Sequence, residues 1–220
     1  MKRLWASFLE TARLVADLLK TAGATHVMSM MLHSPQVHGF FSVPTDPLSA
    51  RPVFRDYLAT RDLTDHIVVA PDMGSAKSAA RFAKSLNLPI AAGNKERISD
   101  TQVKISGLVG NHVSEHKHAL IYDDEIATGG SIDELSRVLI NEGVEDITVV
   151  CTHGVFTRGG LDRLAAIPQI REIIATDTVY LPPEKRHPKL KVLSVAQVFA
   201  DAICHNFHHE SINDLFVFGE

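Results

Sequence analysis

Hydrophobic residues recur along this chain in short continuous runs that alternate with segments of helical spacing. The runs predict strands buried on both faces, over residues 26–31, 66–70, 88–92, 118–122, 146–152 and 172–175, with a late strand over 191–194. Apolar residues three and four positions apart predict amphipathic helices over 4–22, 53–58, 76–86, 132–142, 161–166 and 196–206. Apolar strands separated by crossover helices are typical of the α/β class, here a parallel sheet flanked by helices.

Polar residues stand where the predicted strands end. His33, Asp72, Lys95, Asp123 and His153 all fall at or just beyond the end of a predicted strand. Because ligands of open α/β sheets bind at the carboxyl ends of the strands, we expect these residues to surround one site. His153 could equally cap its strand, and we leave it out of the catalytic residues.

The segment after the strand at 118–122 carries the clearest chemistry. Asp123 and Asp124 precede the turn Thr128-Gly129-Gly130-Ser131, after which helical spacing begins. Glycines let the backbone approach phosphate oxygens, and the helix N-terminus adds a favourable dipole. Two acids ahead of an anion site are consistent with contacts to sugar hydroxyls or to a metal ion. The pattern predicts a sugar-phosphate site, and the alternative is an acidic strand end followed by an ordinary turn with Ser131 as N-cap.

This segment resembles the phosphoribosyl-diphosphate motif of type I phosphoribosyltransferases. The resemblance implies that Asp123 and Asp124 bind the 2′- and 3′-hydroxyls of ribose. It also implies that the turn binds the 5′-phosphate, through Ala127, Thr128, Gly129, Gly130 and Ser131. Many members of that family carry a third acid where this chain has alanine, which weakens any acid–base role at that position.

Further segments are similar to ribose-phosphate pyrophosphokinases, also called PRPP synthetases. They cover residues 32–41, 68–77, 94–100, 152–156 and 210–216. The resemblance runs almost continuously from about residue 11 to residue 216. It implies transfer of the diphosphoryl group of ATP to ribose 5-phosphate, which gives PRPP and AMP.

The resemblance also assigns catalytic and nucleotide-binding residues. Lys95 and Arg97 match a pair on the family's mobile loop and are the expected catalytic residues. They lie in a polar segment, 94–100, between the strand at 88–92 and another around 103–108. Cations on such a loop would supply charge where it develops during phosphoryl transfer. An ordinary solvated turn is the alternative.

Four residues are expected to bind ATP and its diphosphate: His33, Asp72, Gly74 and Ser75. Of these, His33 and Asp72 match positions that bind Mg²⁺ in the family, and Mg²⁺ is therefore the expected cofactor. Mg²⁺ prefers oxygen ligands and keeps several waters, so few protein ligands suffice.

The chain departs from the family pattern near the expected nucleotide site. Met31 stands where the family usually has aspartate, and His38 stands where it usually has glutamine. The resemblance also leaves most of the family's usual first domain without a matching segment in this sequence. We therefore expect a remnant of that domain at 1–60, a phosphoribosyltransferase-like domain at 61–205, and a tail at 206–220 that packs back on the first part. A regulatory relative that binds ribose phosphate without catalysis, and a salvage phosphoribosyltransferase, remain alternatives.

The amino-acid composition argues against several classes of protein and of binding partner. Hydrophobic residues at 45% and charged residues at 22% argue against disorder, and the net charge of −4 argues against nucleic acid as a main partner. Cys151 and Cys204 support neither a disulfide framework nor a cysteine-based zinc site. Charges interrupt the first helix, which argues against a membrane span or a signal peptide. We expect a cytoplasmic homo-oligomer that binds ATP and ribose 5-phosphate and contacts no membrane.

Overall fold

The computed structural model describes residues 2–97 and 103–213, with the backbone alone at 2–9, 96–97 and 103–104. The helices are α1 (Lys2–Thr21), α2 (Arg51–Leu58), α3 (Ala76–Leu86), α4 (Gly130–Asn141), α5 (Gly160–Ala165) and α6 (Ala196–His208). The strands are β1 (Val27–Met30), β2 (Thr45–Leu48), β3 (His66–Ala70), β4 (Ile90–Arg97), β5 (Val103–Gly110), β6 (His118–Ile126), β7 (Asp146–Gly154), β8 (Ile170–Thr176) and β9 (Leu190–Leu193). Short 3-10 helices lie at Pro35–Phe40, Val113–Glu115, Thr157–Gly159 and Pro183–Lys185.

The chain divides into two compact units. The first comprises Met1–Ala50 and Ala196–Glu220, and the second is Arg51–Val195. From the sequence, the domain boundaries were instead expected after residues 60 and 205. Those predicted domains stay predictions. Residues 214–220 of the expected C-terminal tail lie outside the described residues.

In the first unit, β1 and β2 form a two-stranded parallel sheet in which Val27 is opposite Thr45. Strand β2 was not predicted from the sequence, because the residues Thr45-Asp46-Pro47-Leu48 form no apolar run. The strand depends on pairing with β1, which local sequence does not encode. Asp46 also binds His26, with 2.5 Å between Oδ2 and Nε2.

The second unit contains a seven-stranded sheet of order β5-β4-β3-β6-β7-β8-β9. All neighbouring strands are parallel except β4 and β5, which form an antiparallel pair. The predicted α/β class with a helix-flanked parallel sheet is therefore confirmed. The chain leaves β3 toward β4 and leaves β6 toward β7, on opposite sides of the β3–β6 pair. Such a change of direction opens a ligand crevice beyond the carboxyl ends of β3 and β6.

Two strands run further than expected. The prediction of a polar loop at 94–100 is wrong for residues 94–97, because these residues belong to β4 and pair with β5. Residues 98–100 of that segment lie outside the described residues. Likewise β6 continues to Ile126 instead of ending at Tyr122, so Asp123 and Asp124 lie within the strand. Pairing with a neighbour satisfies the backbone of these polar segments, which their side chains do not reveal.

Both faces of the sheet are buried. On one face Phe82 stacks on Tyr122 with 4.4 Å between ring centroids, and Phe54 packs edge-on against both rings. On the other face, side chains of α4 and α5 such as Leu135 and Leu164 join the main hydrophobic cluster. This packing fixes the strand ends that carry the polar residues. Each helix within the described ranges is too short or too polar to cross a bilayer.

Candidate functional site

The glycine turn lies between the end of β6 and the start of α4. Gly129 caps the helix with φ of +73°, a left-handed conformation that favours glycine, and no side chain caps this end. The first helical hydrogen bond runs from the Asp133 N–H to the Gly129 carbonyl at 2.9 Å. The amides of residues 130–132 precede it and therefore have no acceptor within the helix. Together with the exposed hydroxyls of Thr128 and Ser131, they form donors suited to an anion.

Helix α5 packs against the glycine turn. A Cβ on Gly160 would come within 2.8 Å of the Ala127 carbonyl oxygen, so only glycine allows this approach. A Cβ on Gly129 would come within 3.1 Å of Leu164 Cγ. The sequence analysis did not identify Gly160, although its position directly before an apolar helical pattern is visible in the sequence. The close packing holds the turn in one conformation.

The acid pair lies just before the turn. The Asp124 N–H donates to Asp123 Oδ1 at 3.0 Å. Burial, followed by the neighbouring charge of Asp124, raises the pKa of Asp123 to about 8. Two adjacent carboxyls in this state favour any ligand that supplies hydrogen-bond donors or positive charge.

Lys95 links the end of β3 to the glycine turn. Its Nζ lies 2.7 Å from Asp72 Oδ2 and 3.2 Å from Ser131 Oγ. The β4–β5 register shifts between Asn94 and Lys95, and Gly93 next to it packs so closely that a Cβ would lie 2.6 Å from the Pro71 carbonyl oxygen. These two features set β4 directly beside the loop that carries Asp72.

The loop after β3 closes around the carboxylate of Asp72. The Ser75 N–H donates to Asp72 Oδ1 at 3.1 Å, and the Ser75 hydroxyl donates to the Asp72 carbonyl at 3.2 Å. Burial opposes ionisation, but the bonds from Lys95 and from the Ser75 N–H outweigh it, so the pKa of Asp72 lies below its usual value. Gly74 is exposed beside this carboxylate. The structure thus brings Asp72, Ser75, Lys95 and Ser131 together.

His33 and Arg97 are also predicted site residues. His33 is exposed and belongs to the first unit, after β1. The backbone of Arg97 lies in β4, and its side chain is outside the described residues. Within the described residues, no three side chains among His, Cys, Asp and Glu form a set that could hold a metal. The assignment of His33 and Asp72 to one metal site stays a prediction.

Three residues that the sequence analysis singled out have local structural partners. His153 Nδ1 lies 2.8 Å from Thr178 Oγ1, at the ends of β7 and β8. Met31 is buried with φ of 45°, and His38 Nε2 lies 3.4 Å from Ser29 Oγ. Burial lowers the pKa of His38.

The chain is similar to known ribose-phosphate pyrophosphokinases. Residues 102–217 match the family model described as the phosphoribosyl synthetase-associated domain. A ribose-phosphate pyrophosphokinase from Deinococcus radiodurans is 42% identical over 209 residues, which cover 93% of this chain and 64% of the relative. Another from Caldanaerobacter subterraneus is 39% identical over 207 residues, covering 94% of this chain and 65% of the relative.

One solved structure is similar to this chain over most of the chain's length. The crystal structure of phosphoribosylpyrophosphate synthetase from Mycobacterium smegmatis superposes with a TM-score of 0.81 at 37% sequence identity. The match covers 90% of this chain and 64% of that chain. The chain therefore spans a little under two thirds of the length of these relatives.

Proposed function

The chain belongs to the phosphoribosyl synthetase family of ribose-phosphate pyrophosphokinases, and we propose that it transfers the diphosphoryl group of ATP to ribose 5-phosphate. In this reaction the anomeric oxygen of the sugar forms a bond to the β-phosphorus of ATP. The bond between that phosphorus and the oxygen bridging it to the α-phosphate breaks. The products are PRPP and AMP, and the anomeric hydroxyl loses its proton.

The observation that carries the proposal is the glycine turn with an ammonium group beside it. Exposed hydroxyls and helix amides that precede the first hydrogen bond of α4 suit the 5′-phosphate of the sugar. Asp123 and Asp124 suit the ribose hydroxyls, because carboxyl oxygens accept hydrogen bonds from them. With the pKa of Asp123 raised to about 8, its protonated form can also donate one hydrogen bond to a hydroxyl oxygen. Phosphate and diol contacts together orient the sugar, and orientation is a main source of rate in such reactions.

Lys95 is the proposed catalytic cation. Its ammonium reaches both the turn and the Asp72 loop, which the resemblance assigns to the sugar and to ATP respectively. A positive charge between two phosphate-binding loops stabilises the charge that develops as the diphosphoryl group moves. Arg97 is proposed as the second cation, on the resemblance alone.

Mg²⁺ is the proposed cofactor, with His33 and Asp72 as the ligands that the resemblance implies. The carboxylate of Asp72 fits a cation, because it already binds the ammonium of Lys95. When bound, the ion would neutralise charge on the triphosphate. Gly74 and Ser75 would bind phosphate oxygens of ATP through the backbone.

Incubation with ATP, ribose 5-phosphate and Mg²⁺ tests the proposal, with AMP and PRPP measured by chromatography. We expect AMP and PRPP in equal amounts, and no AMP when the sugar phosphate is omitted. Lys95→Ala is the matched negative control. AMP without PRPP would indicate hydrolysis and would contradict the proposal.

Calorimetry separates this function from the two alternatives. Binding of ribose 5-phosphate without binding of ATP and Mg²⁺ would favour a regulatory relative, an outcome consistent with the buried apolar Met31 in place of an acid. Consumption of PRPP on addition of a nucleobase would favour a salvage phosphoribosyltransferase. Assembly into a homo-oligomer stays a prediction, which sedimentation would test.

A further inference from the structure

One face of α5 is directed at the glycine turn. Gly160, Arg163 and Leu164 are spaced three and four residues apart, so they share this face. Gly160 approaches the backbone of Ala127, and Leu164 packs against Gly129, as their close distances indicate. The third member of the face, Arg163, has no part in this packing.

The guanidinium of Arg163 instead lies over the turn. Its Nη1 is 3.9 Å from the position that a Cβ on Gly130 would occupy, so it lies close to the first residue of α4. The side chain is exposed, and no carboxylate among residues 10–95 and 105–213 forms an ion pair with it. By contrast, the exposed Arg137 of α4 pairs with Asp133 at 3.0 Å.

A sugar phosphate at the turn needs positive charge. The helix amides alone carry only partial positive charge, whereas a phosphate carries at least one full negative charge. Lys95 reaches the turn from the β4 side, at Ser131, whereas Arg163 reaches it from the α5 side, at Gly130. The fork of an arginine matches two phosphate oxygens at once, which a lysine cannot do.

We propose that Arg163 binds the phosphate of the sugar substrate, opposite Lys95. The inference rests on the proposed sugar-phosphate site and adds a binding residue from a separate element of the fold. It explains why Gly160 must be small, since α5 has to lie close enough for the arginine to reach the turn. Arg163 lies in the predicted helix at 161–166, but none of the motif segments identified in the sequence contains it.

Calorimetry with ribose 5-phosphate tests the inference on four proteins: the unmodified chain, Arg163→Ala, Arg163→Lys and the control Arg137→Ala. A charge-assisted bidentate contact predicts that Arg163→Ala weakens binding by about 10- to 100-fold. Arg163→Lys keeps the charge and should recover part of this loss. Arg137→Ala should change the affinity by less than about 2-fold, because its pair is exposed.

Salt dependence distinguishes a phosphate contact from a structural role. Binding by the unmodified chain should weaken more steeply with added NaCl than binding by Arg163→Ala, which lacks one charged contact. Equal affinities of Arg163→Ala and the unmodified chain would refute the inference and leave the proposed function intact. Equal loss in Arg163→Lys and Arg163→Ala, with lowered melting temperatures, would also refute it. No binding by the unmodified chain would refute the proposed function itself.

Discussion

Replacing Asp123 by asparagine should stabilise the fold at alkaline pH while weakening sugar binding. The pKa of this carboxyl is raised from 3.8 to about 8, first by burial and then by the charge of Asp124. Between these two values the folded chain binds more protons than the unfolded chain, so the free energy of unfolding decreases as pH rises through this window. Asparagine carries no charge and removes that dependence. Its side-chain oxygen can still accept the hydrogen bond from the Asp124 N–H.

The size of this stability difference depends on how far the pKa of Asp123 is raised. Each pH unit in the window costs the unmodified chain at most about 1.4 kcal/mol, which gives an upper limit of about 6 kcal/mol at pH 8. Replacing buried ionic groups with neutral ones of similar size typically gains about 1–4 kcal/mol. We therefore expect Asp123→Asn to be about 2 kcal/mol more stable than the unmodified chain at pH 8, with a difference near zero at pH 4.

Urea unfolding at several pH values between 4 and 8 measures this difference. The control is Asp56→Asn, because the Asp56 side chain is 67% exposed and lies on α2, outside the site. The gain should grow with pH for Asp123→Asn and stay constant for Asp56→Asn, while ribose 5-phosphate affinity falls only in the former. A gain that is the same at pH 4 and pH 8 would refute the assignment of the raised pKa to Asp123.

Three other substitutions test residues around the glycine turn and the Asp72 loop. Lys95→Ala should lower turnover by about 100-fold or more and change ribose 5-phosphate affinity much less, since its charge acts mainly in the transition state; equal losses in steady-state kinetics and calorimetry would contradict this. Asp72→Asn should raise the acetylation rate of Lys95, measured by peptide mass spectrometry without ligand, because the 2.7 Å contact with Asp72 restrains and partly covers its Nζ; an unchanged rate would mean that the pair does not persist in solution. Gly160→Ala should weaken ribose 5-phosphate binding by about 10-fold or more, because its Cβ would meet the Ala127 carbonyl oxygen at 2.8 Å. Gly107→Ala, whose Cβ would meet nothing within 4 Å, is the control, and similar effects of the two variants would argue against a shifted turn.

Periodicity predicted the second unit well because its strands are buried on both faces. The bounds of β3 and α3 agree with the prediction residue for residue, since an apolar run and a regular amphipathic pattern define them locally. The extended parts of β4 and β6 are polar, and they are strands because neighbours pair with them. Nothing within either segment encodes that pairing.

The candidate site could likewise be predicted only in part from the sequence. The turn at 128–131 and the acids before it stand out in the sequence, because glycines and paired carboxylates are uncommon within one strand–helix connection. The contact from Lys95 to Asp72 and Ser131 joins three separate elements and depends on the strand order. Arg163 could not be identified for the same reason, since only the packing of α5 brings it to the turn.

A crystal structure of the chain soaked with ribose 5-phosphate would show whether the glycine turn and the acid pair bind this sugar. The phosphate should lie in the turn, about 3 Å from the backbone amides of residues 130–132, with the ribose hydroxyls at Asp123 and Asp124. An empty turn, or a phosphate bound elsewhere while the hydroxyls lie away from these acids, would contradict it.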